Sequence, residues 1–178
     1  MLSPPTPYHL RPLALDDLDQ VVAIDALTFP TPTKAALFGY ELTDNKLAHY
    51  QALTGENGRL LGFSGYWLLA DEGHISTIAI HPNWQRRSLG ELLLLNMLYL
   101  QCEQQAILST LEVRRSNRVA QALYAKYGYE LVGERPRYYK NGEDALLLTR
   151  HLHPPATGEM LFGEMRQALY GRLAQNQP

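Results

Sequence analysis

Residues 78–91 read IAIHPNWQRRSLGE, in which an apolar run, a proline-marked turn and two small residues lead into a leucine-rich helix. The first N–H groups of a helix have no partner within it, and they point the same way as its positive end. A strand, loop and helix in this order are therefore suited to binding phosphate. Arg86 and Arg87 add positive charge at the same place. A basic loop without a ligand is the alternative, and these residues alone leave both open.

The sequence on either side alternates between strand and helix patterns. Apolar runs bounded by turn signals predict strands over residues 8–13, 48–53, 59–70, 75–80, 107–113, 130–134 and 145–149, with a turn over 71–74. A first helix is predicted after Asp16 and Asp17, ending near Pro30. Further helices are predicted over 34–42, 89–103 and 117–126, the last ending at a left-handed Gly128.

Length, charge and cysteine content narrow the class of protein. The chain has 178 residues, enough for one domain, and its net charge of −2 argues against nucleic-acid binding driven by phosphate attraction. The single cysteine, Cys102, cannot form an intrachain disulfide or a thiolate-rich zinc site, and the six histidines lack metal-ligand spacing. No signal peptide or apolar run of membrane-spanning length is present. We expect a cytoplasmic protein without metal, membrane or nucleic-acid partners.

The chain divides into three segments. Residues 1–7 carry three prolines and are expected to form a flexible leader, and residues 8–153 form the domain. Residues 154–178 form a tail whose apolar side chains share one helical face: Leu161, Met165, Ala168, Leu169 and Leu173. This face could pack on its own domain or serve a dimer or partner, so the oligomeric state stays open.

The loop resembles the acetyl-CoA loop of the GNAT N-acetyltransferase superfamily, whose pattern is Arg or Gln, two residues, Gly, one residue, and Gly or Ala. Gln85, Leu89 and Gly90 fit it. Further matching motifs follow in order: LEVRRSN at 111–117, Ala120, Leu123-Tyr124, Tyr127-Gly128-Tyr129, Arg137-Tyr138-Tyr139 and Glu143-Asp144-Ala145. They resemble the bacterial ribosomal-protein-alanine N-acetyltransferases over residues 8–152. The resemblance implies an α/β GNAT fold, a mixed and largely antiparallel sheet flanked by helices, whose V-shaped strand opening holds acetyl-CoA.

The resemblance also implies which residues bind the acetyl-CoA co-substrate. Backbone groups of one strand would face the thioester and pantetheine: Ile78, Ala79 and Ile80. Backbone groups of the loop would hold the pyrophosphate: Arg86, Arg87, Ser88, Leu89, Gly90 and Glu91. Asn117 matches a cofactor-contacting position, and it is also placed to cap the helix that follows.

One position departs from the loop pattern, because Ser88 replaces its first glycine. A left-handed backbone would cost a serine about 1–2 kcal/mol. With a negative φ, the hydroxyl could instead donate a hydrogen bond to phosphate. Since the rest of the motif is present, we expect a negative φ at Ser88.

Glu112 lies on an apolar strand, where an unpaired carboxylate is unfavourable unless it has a partner or a function. A structural explanation would be an ion pair with Arg114, two residues on. The resemblance implies instead that Glu112 is the general base, and that Tyr124 is the general acid for the departing thiolate. Tyr124 could alternatively pack its helix onto the sheet. Tyr138 and Tyr139 match residues beside the acceptor.

The predicted reaction is acetyl transfer from acetyl-CoA to an amine, most simply a protein N-terminus such as that of a ribosomal protein. An α-amine with a pKa near 7.8 is about 14% neutral at pH 7, against roughly 0.04% for lysine. Alternatives are a small-amine acetyltransferase acting on a polyamine, amino acid or antibiotic, and a non-catalytic acyl-CoA-binding module. The chain reads FPTPT at 29–33, where the family commonly has a Pro-Trp pair beside the acceptor, which leaves the acceptor open.

Overall fold

The computed structural model describes residues 1–152 and 157–175. In these ranges the strands are β1 (His9–Pro12), β2 (Ala48–Thr54), β3 (Leu60–Leu69), β4 (Glu72–Ile80), β5 (Leu108–Arg114), β6 (Glu130–Arg135) and β7 (Ala145–His151). The helices are α1 (Leu18–Thr28), α2 (Ala35–Thr43), α3 (Leu89–Glu103), α4 (Arg118–Lys126) and α5 (Gly158–Gln175). Short 3₁₀ turns at Leu15–Asp17 and Pro82–Trp84 precede α1 and the α3 loop.

The strands form one sheet in the order β1-β2-β3-β4-β5-β7-β6. All neighbouring strands run antiparallel except β4 and β5, which are parallel. A parallel pair needs a crossover connection, and α3 supplies it. The predicted mixed and largely antiparallel sheet is therefore confirmed.

Helices cover both faces of the sheet. The larger apolar core contains residues 92–95 of α3, Tyr124 of α4 and Phe162 of α5. On the opposite face a smaller core contains Ile24 of α1 and Phe38 of α2. Because side chains alternate along a strand, β2, β3 and β4 contribute residues to both cores, whereas β5 and β7 contribute only to the larger one.

The sheet is split between its two halves. Glu72–Ile75 of β4 pair with Leu108–Leu111 of β5, and beyond this the two strands have no pairing in the described residues. Ser76 is an extra residue in β4, since Thr77 pairs with Gly65 while Ile75 pairs with Tyr66. A bulge of this kind bends its strand, and it lies where β4 turns away from β5. The result is the V-shaped opening that the resemblance implied.

Two predicted segments need correction. Residues 72–74 belong to strand β4 rather than to a turn, because they pair with β3 on one side and β5 on the other. The leader is not free either: Leu2 is buried in the larger core, and its N–H donates to Asn96 Oδ1 at 2.9 Å. The expectation of a flexible leader over residues 1–7 is thus wrong for its first residues.

The tail helix α5 packs on its own domain, which was one of the two alternatives left open by the sequence. Phe162, Leu169 and Leu173 are buried in the larger core, whereas Ala168, expected on the packed face, is exposed. Residues 153–156 and 176–178, which the domain division also covers, lie outside the described residues. Of the helices in the described ranges, none combines the length and apolarity needed to cross a membrane.

Candidate active site

The opening between β4 and β5 provides the frame of the site. From Ser76 to Ile80, the edge of β4 that faces β5 has no partner strand in the described part of the chain. Backbone polar groups along such an edge are available to a ligand. Ile78, Ala79 and Ile80 lie on this edge, as the predicted contact with thioester and pantetheine requires. Their contact with acetyl-CoA stays a prediction.

The loop before α3 holds a sharply turned backbone. Gln85 donates from Nε2 to the carbonyl oxygen of Ile80 at 3.1 Å, which ties the loop to the end of β4. Arg86 and Ser88 both have positive φ values, 64° and 62°. The predicted negative φ at Ser88 is therefore wrong. The serine occupies the left-handed backbone that favours glycine, and its hydroxyl makes no capping hydrogen bond to α3.

The first turn of α3 presents N–H groups at the mouth of the opening. Leu89, Gly90 and Glu91 are its first helical residues, whose N–H groups have no acceptor within the helix. A Cβ placed on Gly90 would meet Ile80 only at an ordinary 3.8 Å, so the protein itself leaves space there. Arg87 lies over the Trp84 ring at 4.8 Å. Small residues, free N–H groups and arginines fit a diphosphate.

Glu112 lies where the two strands separate, one residue after the last β5 residue paired with β4. Its side chain is 7% exposed, with Oε2 3.0 Å from His74 Nε2 and Oε1 3.1 Å from Arg135. The hydrogen bond with His74 lowers the pKa of Glu112 most; desolvation opposes it, and the charges of His74 and Arg135 assist. Glu112 therefore stays ionised near pH 7.

The alternative explanation for Glu112, an ion pair with Arg114, is wrong. Arg114 instead pairs with Glu143 at 2.8 Å. The alternation of side chains along β5 does place Glu112 and Arg114 on the same face. Arg114 nevertheless pairs with a different carboxylate, that of Glu143, which lies just before β7.

His74 belongs to a chain of hydrogen bonds that begins at Glu72. Thr110 Oγ1 donates its single proton to Glu72 Oε1 at 2.7 Å. The Thr110 oxygen lies 3.0 Å from His74 Nδ1, so it accepts the Nδ1 proton. Nε2 then faces Glu112 Oε2 at 3.0 Å. The arrangement fixes the orientation of the histidine ring beside the carboxylate.

An aromatic contact extends this network toward α2. The Trp67 ring stacks on His74, with centroids 5.8 Å apart and an angle of 19°. Its Nε1 donates to Glu41 Oε2 at 2.7 Å. Glu41, Glu72 and Glu112 are thus linked to His74, Glu112 directly and the other two through Trp67 and Thr110.

Tyr124 lies in the other layer of the fold, on the α3 side of the sheet. It is 9% exposed, belongs to the α3-side core and contacts the Tyr129 ring at 5.6 Å between centroids. Burial, with a smaller effect of Tyr139, raises the pKa of Tyr124, so the phenol keeps its proton. Glu112 lies on the opposite face, since its neighbours Leu111 and Val113 belong to the α3-side core. The Glu112 carboxylate and the protonated Tyr124 phenol thus lie on opposite faces of the sheet, and the role of Tyr124 as general acid stays a prediction.

Tyr138 and Tyr139 lie beside Glu112, and both are held by arginines. Arg135, which pairs with Glu112, lies 5.5 Å from the Tyr138 ring centre, and Arg114 lies 3.8 Å from that of Tyr139. Tyr138 is 47% exposed, and burial raises the pKa of Tyr139 to about 12. Both phenols stay neutral, and Tyr138 can contact an acceptor. Their substrate contacts stay a prediction.

Asn117 caps α4, because its Oδ1 accepts the Ala120 N–H at 3.1 Å. This confirms the capping role and leaves its cofactor contact as a prediction. In residues 1–152 and 157–175, no group of three or more His, Cys, Asp and Glu side chains could hold a metal ion.

Sequence reasoning missed His74, Arg135 and Trp67. The sequence predicts a turn at His74 because Asp71, Glu72 and Gly73 precede it. Had β4 been extended back to Glu72, alternation would have placed His74 on the face of Glu112. For Arg135 and Trp67 the sequence offers no comparable signal.

Comparison with known proteins relates this geometry to enzymes. The model of the acetyltransferase (GNAT) family matches residues 16–129. A Bacillus subtilis (strain 168) protein named for alanine N-acetylation of ribosomal protein bS18 is 41% identical over 144 residues, which cover 80% of this chain and 95% of that protein. The N-alpha-acetyltransferase RimI of Mycobacterium tuberculosis is 31% identical over 157 residues, 84% of this chain and 96% of the relative. The crystal structure of the ribosomal-protein-S18-alanine N-acetyltransferase from Escherichia coli has a TM-score of 0.77 and 26% identity, covering 84% of this chain and 96% of that one.

Proposed function

Because this chain belongs to the acetyltransferase (GNAT) family and is an acetyl-CoA-dependent N-acetyltransferase, we propose that its acceptor is a protein N-terminal α-amine, with the alanine terminus of ribosomal protein bS18 as the first candidate. The observation that carries this proposal is the position of Glu112. A nearly buried, ionised carboxylate lies where β4 and β5 separate, paired with His74 and Arg135.

The lowered pKa of Glu112 favours an α-amine over a lysine. A carboxylate with a pKa below its ordinary value is a weak base, so the acceptor must lose its proton easily. An α-amine is more acidic than a lysine ammonium by about 2.6 pK units, roughly 3.5 kcal/mol. A weak base such as Glu112 is therefore better suited to an α-amine acceptor than to a lysine side chain.

Glu112 and Tyr124, on opposite faces of the sheet, have separate roles in the proposed reaction. In the proposed reaction the α-amine reacts in its neutral form: its nitrogen attacks the thioester carbon, and Glu112 takes the proton that this nitrogen then gives up, directly or through water. Backbone N–H groups of Ile78, Ala79 or Ile80 hold the carbonyl oxygen as it becomes negative. The carbon–sulfur bond then breaks, and Tyr124 donates a proton to the departing sulfur.

The loop of residues 85–91 binds the part of the donor that does not react. N–H groups at the start of α3, with Arg86 and Arg87, hold the diphosphate, and Asn117 contacts the cofactor. Acid and base are both side chains, so the proposed reaction needs no metal. A ribosomal acceptor would place it in the cytoplasm.

We would test the acceptor with acetyl-CoA and a panel of an alanine-starting peptide, an N-blocked lysine peptide and free spermidine. The acetylated atom would be located by mass spectrometry. We expect the acetyl group on the α-amine alone. An acetyl group on spermidine alone would replace this proposal with the small-amine alternative. Acetylation of the lysine side chain would contradict the inference drawn from the lowered pKa of Glu112.

The role of Glu112 is tested by Glu112→Gln, with Glu56→Gln in an exposed turn as the matched control. We expect kcat/KM for the alanine peptide to fall at least 100-fold in the first variant and to stay unchanged in the control. In the wild type, kcat/KM should rise with pH as the α-amine deprotonates, because Glu112 is already ionised. Unchanged turnover of Glu112→Gln would remove its assignment as the base.

A further inference from the structure

Glu91 lies in the first turn of α3, at the proposed diphosphate site, and one of its oxygens receives three donors. Tyr127 Oη donates to Oε1 at 2.9 Å and Arg172 at 2.8 Å, and Lys126 Nζ pairs with the same oxygen. The Glu91 side chain is 12% exposed. A single carboxylate is thus held by two cations, one from the end of α4 and one from α5.

This arrangement offsets the repulsion between the Glu91 carboxylate and a bound diphosphate. The N-terminus of α3 attracts anions, but a carboxylate within its first turn opposes the binding of a diphosphate at the same place. Lys126 balances the charge of Glu91, and Arg172 leaves the group with one net positive charge. These contacts also hold the Glu91 side chain on the side of α3 that faces α4 and α5.

Arg172 comes from a helix that lies beyond residues 16–129, the region that the GNAT family model matches. Its neighbours Leu169 and Leu173 are buried in the larger core, which fixes the helix on α3. Gly158, at the start of α5, packs so closely on Tyr99 that an added Cβ would lie 2.6 Å from its ring. The position of Arg172 is therefore set by packing along most of α5.

We propose that helix α5 is part of the acetyl-CoA site, and that Arg172 is a positioning residue which acts through Glu91 to keep the first turn of α3 receptive to the diphosphate. The inference rests on the proposed role of residues 86–91 in holding that diphosphate. It gives the tail a function in donor binding beyond the stability of the fold.

The experiment measures the binding of coenzyme A to the full chain by calorimetry at low ionic strength, without an acceptor. We expect Arg172→Gln to raise the Kd about 3- to 10-fold, and Arg172→Lys to restore part of the loss. At saturating acetyl-CoA, kcat should change less than twofold. The control is Arg166→Gln on the same helix, whose partner Glu159 is also on α5; its Kd should not change.

A double-variant cycle tests the path through Glu91. In a Glu91→Gln background, Arg172→Gln should have less than half its effect on log Kd. An equal effect there, an equal effect of Arg166→Gln, or an unchanged Kd for Arg172→Gln would each overturn the proposal. Because the assay contains no acceptor, an error in the proposed acceptor would leave these results unaffected. A wild-type chain that fails to bind coenzyme A would instead contradict the proposed function.

Discussion

Ser88 combines a left-handed backbone with a side chain that disfavours it. Its φ of 62° follows from the loop geometry, in which Arg86 also has a positive φ and α3 begins one residue later. Glycine adopts this conformation without steric conflict, whereas a serine Cβ approaches neighbouring backbone atoms. The loop therefore holds strain at the proposed diphosphate site.

Replacing Ser88 by glycine should relieve this strain. We expect Ser88→Gly to raise the free energy of unfolding by about 1 kcal/mol, measured by urea denaturation, and to tighten coenzyme A binding. Ser88→Ala keeps the Cβ and removes only the hydroxyl, so it should bring no such gain. A less stable glycine variant would mean that the hydroxyl makes a contact that outweighs the strain.

At single residues, the sequence was more informative about chemical type than about conformation. Glu112 could be selected because a carboxylate on an apolar strand needs a partner, but its partners come from β4 and β6, which are distant in sequence. The sign of φ at Ser88 depends on how the loop joins β4 to α3. No property of serine specifies it.

At the scale of the secondary-structure elements, α5 is anchored to the domain by the side chain of Phe162. Phe162 is 1% exposed, and its ring centre lies 6.4 Å from that of Tyr99 and 6.2 Å from that of Tyr127. Arg150 lies 5.5 Å from the same ring centre. Phe162 thus joins the tail to α3, to the end of α4 and to β7.

Phe162→Ala should cost about 3–5 kcal/mol of stability, because it removes a fully buried ring and leaves a cavity. Denaturant titration would measure the loss. Met160→Ala on the same helix is the matched control, since Met160 is 76% exposed and its loss should change stability by less than about 0.5 kcal/mol. Similar values for the two variants would show that α5 does not pack as described.

Elements with a strong signal in their own composition could be predicted well. The predicted range of α3, residues 89–103, agrees with its observed bounds, because leucines fill a helix buried on nearly all sides. The leader and the inner face of α5 were harder. Leu2 and Phe162 are buried only because other elements cover them, and local sequence carries no record of that contact.

At the scale of the whole molecule, the sheet consists of two halves joined by a short seam. Strands β1 to β4 form one half and β5, β7 and β6 the other, joined by four residue pairs between β4 and β5. Sequence patterns predict strands but not where two neighbours stop pairing. The opening could therefore be expected only from the family resemblance.

A ligand that fills this opening should stabilise the entire chain. At a coenzyme A concentration of 100 times the Kd, we expect about 2.7 kcal/mol of stabilisation and a rise in Tm of roughly 5–10 °C. Differential scanning fluorimetry would measure the shift, and hydrogen exchange should slow most in residues 76–80. Adenosine, which lacks the pantetheine and diphosphate, is the negative control. An equal shift with adenosine would place binding outside the opening.

The seam between the half-sheets also bears on how the enzyme would behave in a metabolising cell. In the proposed binding mode the unpaired edge of β4 and the start of α3 would bind pantetheine and diphosphate, which acetyl-CoA and coenzyme A have in common. Most of the binding contacts would therefore be the same for the substrate acetyl-CoA and the product coenzyme A. Coenzyme A should therefore compete with acetyl-CoA, and turnover should follow the ratio of the two when both exceed their Kd.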